Sequence, residues 1–169
     1  MSIRDRVTKA RLWLAACLTL IHMAPALASD SSFTPFEGRW EGTGSFGGTP
    51  SRISVEFRPL FDGRFWELLF KVEAAAPQPT GAADAFQGRA TYAAAPGGKG
   101  NWIDTRGNRF TVTHEWRNGR LESAWGPDGT VAGTSRYTIE ADGSLTVQDF
   151  ILRNGQPVPM AQGSLRRTP

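Results

Sequence analysis

From Glu37 to the C-terminus, apolar residues recur at every second position, and short turn motifs interrupt this alternation at close intervals. A period of two places successive side chains on opposite faces of a strand, whereas a helix has a period near 3.6. The turn motifs are Asp62-Gly63, Asn118-Gly119, Asp142-Gly143 and Asn154-Gly155. Such pairs accept the positive φ of tight hairpins, because glycine lacks a Cβ and Asn or Asp tolerates this conformation. The pattern therefore predicts a series of short antiparallel strands.

The spacing of the turns sets the bounds of ten predicted strands and leaves no room for a helix. The strands are expected at residues 38–45, 51–58, 64–73, 86–93, 101–105, 109–116, 120–125, 131–140, 144–152 and 158–167. We expect an all-β fold, a single antiparallel up-and-down β-barrel, because closure removes the unpaired edges of an open sheet. A two-sheet sandwich is the alternative.

The alternation also predicts which side chains face the barrel interior. The expected inward residues of three strands are Ile53, Val55 and Phe57; Trp66, Leu68, Phe70 and Val72; and Phe110, Val112, His114 and Trp116. A ten-stranded barrel is wider than an eight-stranded one, whose side chains just fill the lumen, so some cavity is expected.

Residues 1–28 have the organisation of an export signal. A segment with four basic residues precedes an apolar run over residues 12–28, which ends in the small-x-small pattern Ala26-Leu27-Ala28. We expect cleavage after Ala28 and a periplasmic or secreted product, with a lead-in at 29–36 and the barrel at 37–169. No stable membrane span is expected, because the run is broken by His22 and Pro25 and is shorter than the about 20 residues needed.

Cys17 offers an alternative to release. The segment Leu14-Ala15-Ala16-Cys17 resembles a lipoprotein box, which would place a lipid on Cys17 and anchor the product to a membrane. With cleavage after Ala28, by contrast, the chain loses its one cysteine and has no disulfide to form.

The charge of the mature chain excludes one class of partner. Removal of residues 1–28 takes away Arg4, Arg6, Lys9 and Arg11, which reduces 19 basic residues to 15, and Asp5, which reduces 16 acidic residues to 15. The net charge is then near zero. We expect no nucleic-acid binding, since that function needs a basic surface on the folded domain.

One long irregular stretch, residues 74–84, contains Pro77, Pro79 and Gly81. It is too short and too proline-rich for a helix, so we expect a surface loop at a barrel mouth. Its role is either that of a lid or that of a connector.

The opening strand, Phe36-Glu37-Gly38-Arg39-Trp40-Glu41-Gly42-Thr43-Gly44, resembles that of calycin-type barrels, which include lipocalins, fatty-acid-binding proteins and nitrobindins. The blocks Gly88-Arg89-Ala90-Thr91-Tyr92, Trp102-Ile103-Asp104-Thr105-Arg106-Gly107 and Ser135-Arg136-Tyr137 resemble those of an uncharacterised bacterial family of calycin-like domains. The resemblance implies a barrel and no established activity.

In lipocalins the opening Trp closes the barrel floor, and an Arg near the chain end packs across its ring. The resemblance gives this structural role to Trp40, with Arg167 as the expected partner and Arg166 as the alternative. Nitrobindin-like barrels bind haem through a histidine close to the C-terminus, but no histidine follows His114 here. That ligand does not carry over.

The leading functional hypothesis is an exported barrel that binds a small apolar or amphipathic molecule without a cofactor, because aromatic side chains suit such a pocket. The expected ligand-binding residues are His114, Trp116, Tyr92, Trp102 and Phe110. One alternative is a haem-binding barrel in which His114 ligates the iron. A second alternative is a non-enzymatic structural or partner-binding module of the cell envelope.

An enzyme is not expected. A nucleophilic serine would need a base, for which only His114 is present in the mature chain, and no Gly-x-Ser-x-Gly elbow occurs. A single histidine without cysteine also makes a poor metal site, so none is expected. A hydrolase or isomerase is the remaining enzymatic alternative.

Overall fold

The structure is a computed structural model that describes residues 32–75, 85–95 and 97–169. The expected signal peptide at 1–28, its cleavage site after Ala28 and the alternative lipid site at Cys17 lie outside the described residues. Most of the loop expected at 74–84 lies outside them as well. Within the described ranges, no helix has the length and apolar character needed to cross a membrane.

Ten antiparallel strands follow one another through the described residues and close into a barrel. They are β1 (Gly38–Phe46), β2 (Thr49–Leu60), β3 (Phe65–Ala74), β4 (Phe86–Ala93), β5 (Lys99–Asp104), β6 (Arg109–Arg117), β7 (Arg120–Gly126), β8 (Gly133–Ile139), β9 (Leu145–Arg153) and β10 (Gln156–Arg167). Each strand pairs with its neighbours in sequence, and β1 also pairs with β10. The predicted up-and-down barrel is therefore confirmed, and the sandwich alternative is wrong because the first and last strands are hydrogen-bonded to each other.

Two of the predicted turns have the geometry that matches the twist of their strands. Asn118 and Gly119 have φ values of 52° and 75°, and Asn154 and Gly155 have values of 52° and 76°. In both hairpins these two residues alone separate the paired strands. Consecutive positive φ values define the mirror-image turn that suits right-handed strand twist, which explains the Asn-Gly sequence.

The predicted strand ends agree with the observed ones to within two residues. The eighth strand illustrates the difference, since it was expected from residue 131 and begins at Gly133. Before it, the backbone N–H of Thr130 donates to the carbonyl of Pro127 at 2.9 Å, which forms a turn. Val131 is 51% exposed and contributes to neither the core nor a strand. Val131 is apolar and continues the two-residue alternation of β8 although it lies in a loop, so the strand was predicted to begin two residues too early.

The expected inward residues of β2 and β3 form the centre of the core. All seven are buried, with exposed fractions of 4% or less: Ile53, Val55, Phe57, Trp66, Leu68, Phe70 and Val72. On β6, Val112 and His114 are buried while the intervening Thr113 is exposed. The two-residue alternation therefore assigns the faces of these strands correctly.

The lead-in before β1 closes one end of the barrel. Thr34–Phe36 is a short 3-10 helix, and the side chains of Phe33 and Phe36 are 0% and 1% exposed. The ring of Phe33 stacks on Trp66, with centroids 5.4 Å apart, and meets Trp116 edge-on at 4.9 Å. The sequence analysis assigned this segment no part in the core. We call Phe33 and Phe36 the plug.

Trp40 and Arg167 hold the plug against the barrel. The indole Nε1 of Trp40 donates to the carbonyl oxygen of Phe36 at 2.8 Å. Arg167 lies over the Trp40 ring, with Cζ 4.3 Å from the ring centroid, in the arrangement expected from the sequence. Its guanidinium also donates to the carbonyl oxygens of Pro35, at 2.7 Å, and Glu37. The contact thus joins the first strand, the last strand and the lead-in.

We predict that Arg167→Ala lowers the free energy of unfolding by about 1–2 kcal/mol, because it removes the cation–π contact and two charge-assisted hydrogen bonds. The corresponding fall in Tm is about 2–8 °C by thermal denaturation. Arg166→Ala is the matched control, since among the described residues Arg166 pairs with exposed groups of Asp142 alone and should change Tm little. Equal midpoints for both variants would show that the Arg167 contact does not stabilise the barrel.

Candidate functional site

A cavity of about 290 Å³ occupies the half of the barrel interior away from the plug. Its mouth lies where β1 ends and β5 turns into β6, because Phe46, Asp104, Arg106 and Asn108 line it there. Six aromatic side chains without hydroxyl groups line the cavity: Phe46, Phe70, Phe86, Trp102, Phe110 and Trp125. At about 30 Å³ per water, the space equals about ten water molecules. This size suits a molecule of one or two rings.

Two glycines allow the tryptophans to lie flat against the wall. A Cβ on Gly88 would come within 2.0 Å of the Trp102 ring, and a Cβ on Gly133 within 2.2 Å of the Trp125 ring. Each indole is also oriented by a hydrogen bond, from Nε1 of Trp102 to Asp104 at 3.0 Å and from Nε1 of Trp125 to Ser135 at 3.0 Å. Both rings are therefore held in place, on the two strands that flank β6, rather than free to fill the lumen.

Asp104 organises the rim of the cavity. Its carboxylate accepts hydrogen bonds from Trp102, from the backbone N–H of Arg106 at 2.9 Å and from Asn108. Desolvation raises the pKa of Asp104, but these hydrogen bonds outweigh it and the pKa lies below its ordinary value. The turn presents Arg106 over two rings, with Cζ 5.5 Å from the centroid of Phe46 and 5.2 Å from that of Phe86. The mouth thus carries one cation.

Four neighbouring strands place a polar side chain at the same level of the lumen. His114 is paired with Ser123, Ser123 with Ser135, and Ser135 with Asp149. Each of these residues exposes 9% of its surface or less. The level nearer the mouth consists of Val112, Trp125, Gly133 and Ile151, and the level nearer the plug consists of Trp116, Leu121, Tyr137 and Val147. We call His114, Ser123, Ser135 and Asp149 the polar tier.

Asp149 is the buried acid of this tier, and it lines the inner part of the cavity. Burial raises its pKa from the ordinary 3.8 to about 6, and a hydrogen bond with Ser135 opposes part of this effect. Oδ1 has no hydrogen-bond partner among the described residues, and none of the ion pairs between them includes Asp149. Near neutral pH the carboxylate is therefore ionised and incompletely compensated.

Two tyrosine hydroxyls complete the polar end of the cavity. Tyr92 of β4 and Tyr137 of β8 are each 2% exposed and line it. Burial raises the pKa of both phenols, and the charge of Asp149 raises both further. The hydroxyl of Ser123 opposes the rise in the pKa of Tyr92, as that of Ser135 does for Tyr137. Both phenols therefore stay neutral and are able to donate or accept a hydrogen bond.

The structure brings together three of the five residues expected to bind a ligand. Tyr92, Trp102 and Phe110 line the cavity. His114 and Trp116 are not part of its lining. Both contact the plug instead, since their ring centroids lie 5.4 Å and 4.9 Å from that of Phe33. The sequence analysis did not foresee that a segment outside the barrel would cover this part of the lumen.

Sequence analysis also missed Asp149, Ser123 and Ser135 as site residues. A usable signal exists for Asp149, because it alternates with the inward Val147 and with Ile151, both of which lie on its face of β9. An acid at such a position is a polar interruption of an apolar face. The two serines give no comparable signal, since small polar residues occur on both faces of strands.

The surroundings of His114 do not fit haem. The imidazole is 1% exposed and packs between the rings of Phe33 and Tyr92, with both centroid distances at 5.4 Å. A porphyrin would have to displace the plug to reach either nitrogen, and it is much larger than a cavity of about 290 Å³. Within the described ranges, no three His, Cys, Asp or Glu side chains are grouped as a metal site.

No protein-family model matches the chain, and no curated protein matches it either. Among solved structures, a de novo designed fluorescence-activating β-barrel is similar, with a TM-score of 0.39 and 17% sequence identity. The match covers 82% of this chain and 98% of the designed one. The calycin relationship therefore stays a resemblance, and the barrel rests on the strand pairing described above.

We predict that Asp149→Asn stabilises the protein at neutral pH and not in acid. The folded protein binds the Asp149 proton more tightly than the unfolded chain does, so this carboxylate costs stability as pH rises from about 4 to about 6. At about 1.4 kcal/mol per tenfold change in proton affinity, the variant gains about 2–3 kcal/mol at pH 7.5 and nearly nothing at pH 4. Urea denaturation at the two pH values measures both differences.

Asp62→Asn is the control for this prediction, because Asp62 is exposed in the β2–β3 turn and Asn tolerates its φ of 56°. The control should change stability little at either pH. If Asp149→Asn raises the free energy of unfolding equally at pH 7.5 and pH 4, burial does not destabilise the ionised carboxylate of Asp149.

Proposed function

We propose that this chain is an exported binding protein that holds a small, mainly apolar molecule of one or two rings inside its barrel. The observation that supports this proposal best is the aromatic cavity of about 290 Å³. Small-molecule sites are concave and mostly apolar, with a few polar groups that fix orientation, and this cavity has that composition. Export is part of the proposal because residues 1–28 have the organisation of an export signal.

The contrast between the two halves of the lumen supports binding over a purely structural role. Around the plug, Phe33, Phe36 and Trp40 are at most 1% exposed and fill the interior. In the other half, Trp102 and Trp125 are held against the wall by hydrogen bonds and by glycines, and the centre is left open. A barrel selected only for stability would gain from filling that space, because cavities reduce stability.

The proposal includes binding and no chemistry on the ligand. The polar tier contains the residue types of a hydrolase triad, but His114 packs against Phe33 and does not line the cavity beside Ser123 and Ser135. A serine facing the ligand then has no imidazole in the lining to accept its proton. Asp149 and the tyrosines are better placed to orient a bound molecule.

We predict that prodan, an uncharged naphthalene fluorophore with two fused rings, binds in the cavity with increased emission, and that Ala132→Phe weakens its binding by about tenfold or more. Ala132 lines the cavity, so a phenyl ring at this position would occupy ligand space. The expected loss corresponds to about 1.4 kcal/mol of binding free energy. Fluorescence titration measures both affinities.

Ala124→Phe is the matched control, because Ala124 follows the inward Ser123 on β7 and faces the outside. It should bind the fluorophore as the unmodified protein does. Equal binding by both phenylalanine variants would place the fluorophore elsewhere, and no binding by the unmodified protein would favour a structural or partner-binding role.

A further inference from the structure

Asp149 is an acidic residue in a mainly apolar cavity, and the apolar walls do not explain its presence there. It is a carboxylate that is 5% exposed, lines the cavity and has one oxygen without a partner among the described residues. Burying an ionised carboxylate is costly unless a cation or several hydrogen bonds compensate it. Here Ser135 supplies the compensation in part. The remaining oxygen belongs to a group that faces ligand space.

The groups around Asp149 offer hydrogen-bond acceptors at the same end of the cavity. Ser123 and the phenols of Tyr92 and Tyr137 line it together with Asp149. A hydroxyl accepts as well as donates, and a primary ammonium has three donors and no acceptor. A carboxylate beside hydroxyl oxygens is therefore complementary to an ammonium in both charge and hydrogen bonding.

The charges of the site disfavour an anionic head at this depth. Asp149 would repel a ligand carboxylate, and no ion pair among the described residues neutralises it. Among the described residues, the one cation in the cavity lining is Arg106, which lies at the mouth over Phe46 and Phe86. The lining thus runs from a cationic rim to an anionic inner end.

We propose that the ligand is a primary amine with an aromatic body, whose ammonium binds Asp149 and whose rings lie against Trp102, Phe110 and Trp125. The inference rests on the proposed function and names the ligand class for the same cavity. The aromatic walls take a flat body by stacking, as Phe110 and Trp125 already do with each other at 5.5 Å. The cavity volume restricts the body to one or two rings.

The test compares four ligands that share one aromatic body: tryptamine, tryptophol, indole propionate and ethylindole. Calorimetric titration at pH 7.5 should give tryptamine the highest affinity, about tenfold or more above each of the others, since a charge-assisted hydrogen bond distinguishes it. Equal or tighter binding of tryptophol would overturn the requirement for a cation. Equal or tighter binding of indole propionate would show that Arg106 and not Asp149 selects the head group.

Asp149→Asn is the decisive variant, because it keeps the shape of the side chain and removes its charge. We expect it to lose the preference for tryptamine, so that tryptamine and ethylindole bind the variant with affinities within about twofold of each other. Asp62→Asn, in the exposed turn, should keep the preference. A tryptamine preference that persists in Asp149→Asn would overturn the proposal even though the cavity binds ligands.

Titration with pH gives a second readout. Tryptamine affinity should fall between pH 7.5 and pH 5, because Asp149 takes up a proton in this range. The other titratable groups facing this end are Tyr92 of β4 and Tyr137 of β8, which stay neutral, and His114 of β6 on the polar tier. The fall should vanish in Asp149→Asn, and a fall that persists there would assign it to another group.

The two proposals fail in different ways. If prodan and all four indoles fail to bind, the proposed function is wrong, and the ligand class is wrong with it. If the neutral molecules bind and tryptamine has no advantage, the cavity is a binding site and only the amine specificity is overturned.

Discussion

A barrel of ten strands encloses more volume than the inward side chains of those strands fill. The other main features of the structure follow from this excess volume. At one end a segment outside the sheet supplies Phe33 and Phe36, which complete the core around Trp40. At the other end the excess stays as a cavity, with Trp102 and Trp125 held to the wall. Tight packing is thus confined to the plugged half of the barrel, and the open half is not tightly packed.

The parts of the fold that local chemistry determines were predictable. Asn118-Gly119 and Asn154-Gly155 have the turn conformations that their composition indicates, and alternation assigned Phe110 and Val112 to the lumen correctly. The plug was not predictable, because a segment as short as Thr34–Phe36 has no periodicity to detect. Nor was the polar tier, since the common level of four residues on four strands depends on cross-strand register.

Asp149 is the residue at which the proposed binding role and stability oppose each other. A carboxylate at this position costs folding free energy, whereas an asparagine of nearly the same shape would not. Its neighbours reduce this cost in folding free energy but do not remove it, because Ser135 donates one hydrogen bond and the tyrosines remain uncharged. A charged group kept under these conditions is more informative about a ligand than any of the aromatic residues, which would also serve a packed core.

The contact between Trp40 and Arg167 places both terminal sides of the barrel at the same end. It brings the lead-in and the last strand together at the plugged end, so both chain directions leave the barrel on the side opposite Arg106 and the rim. An attachment through either terminal side would orient the opening away from the point of attachment.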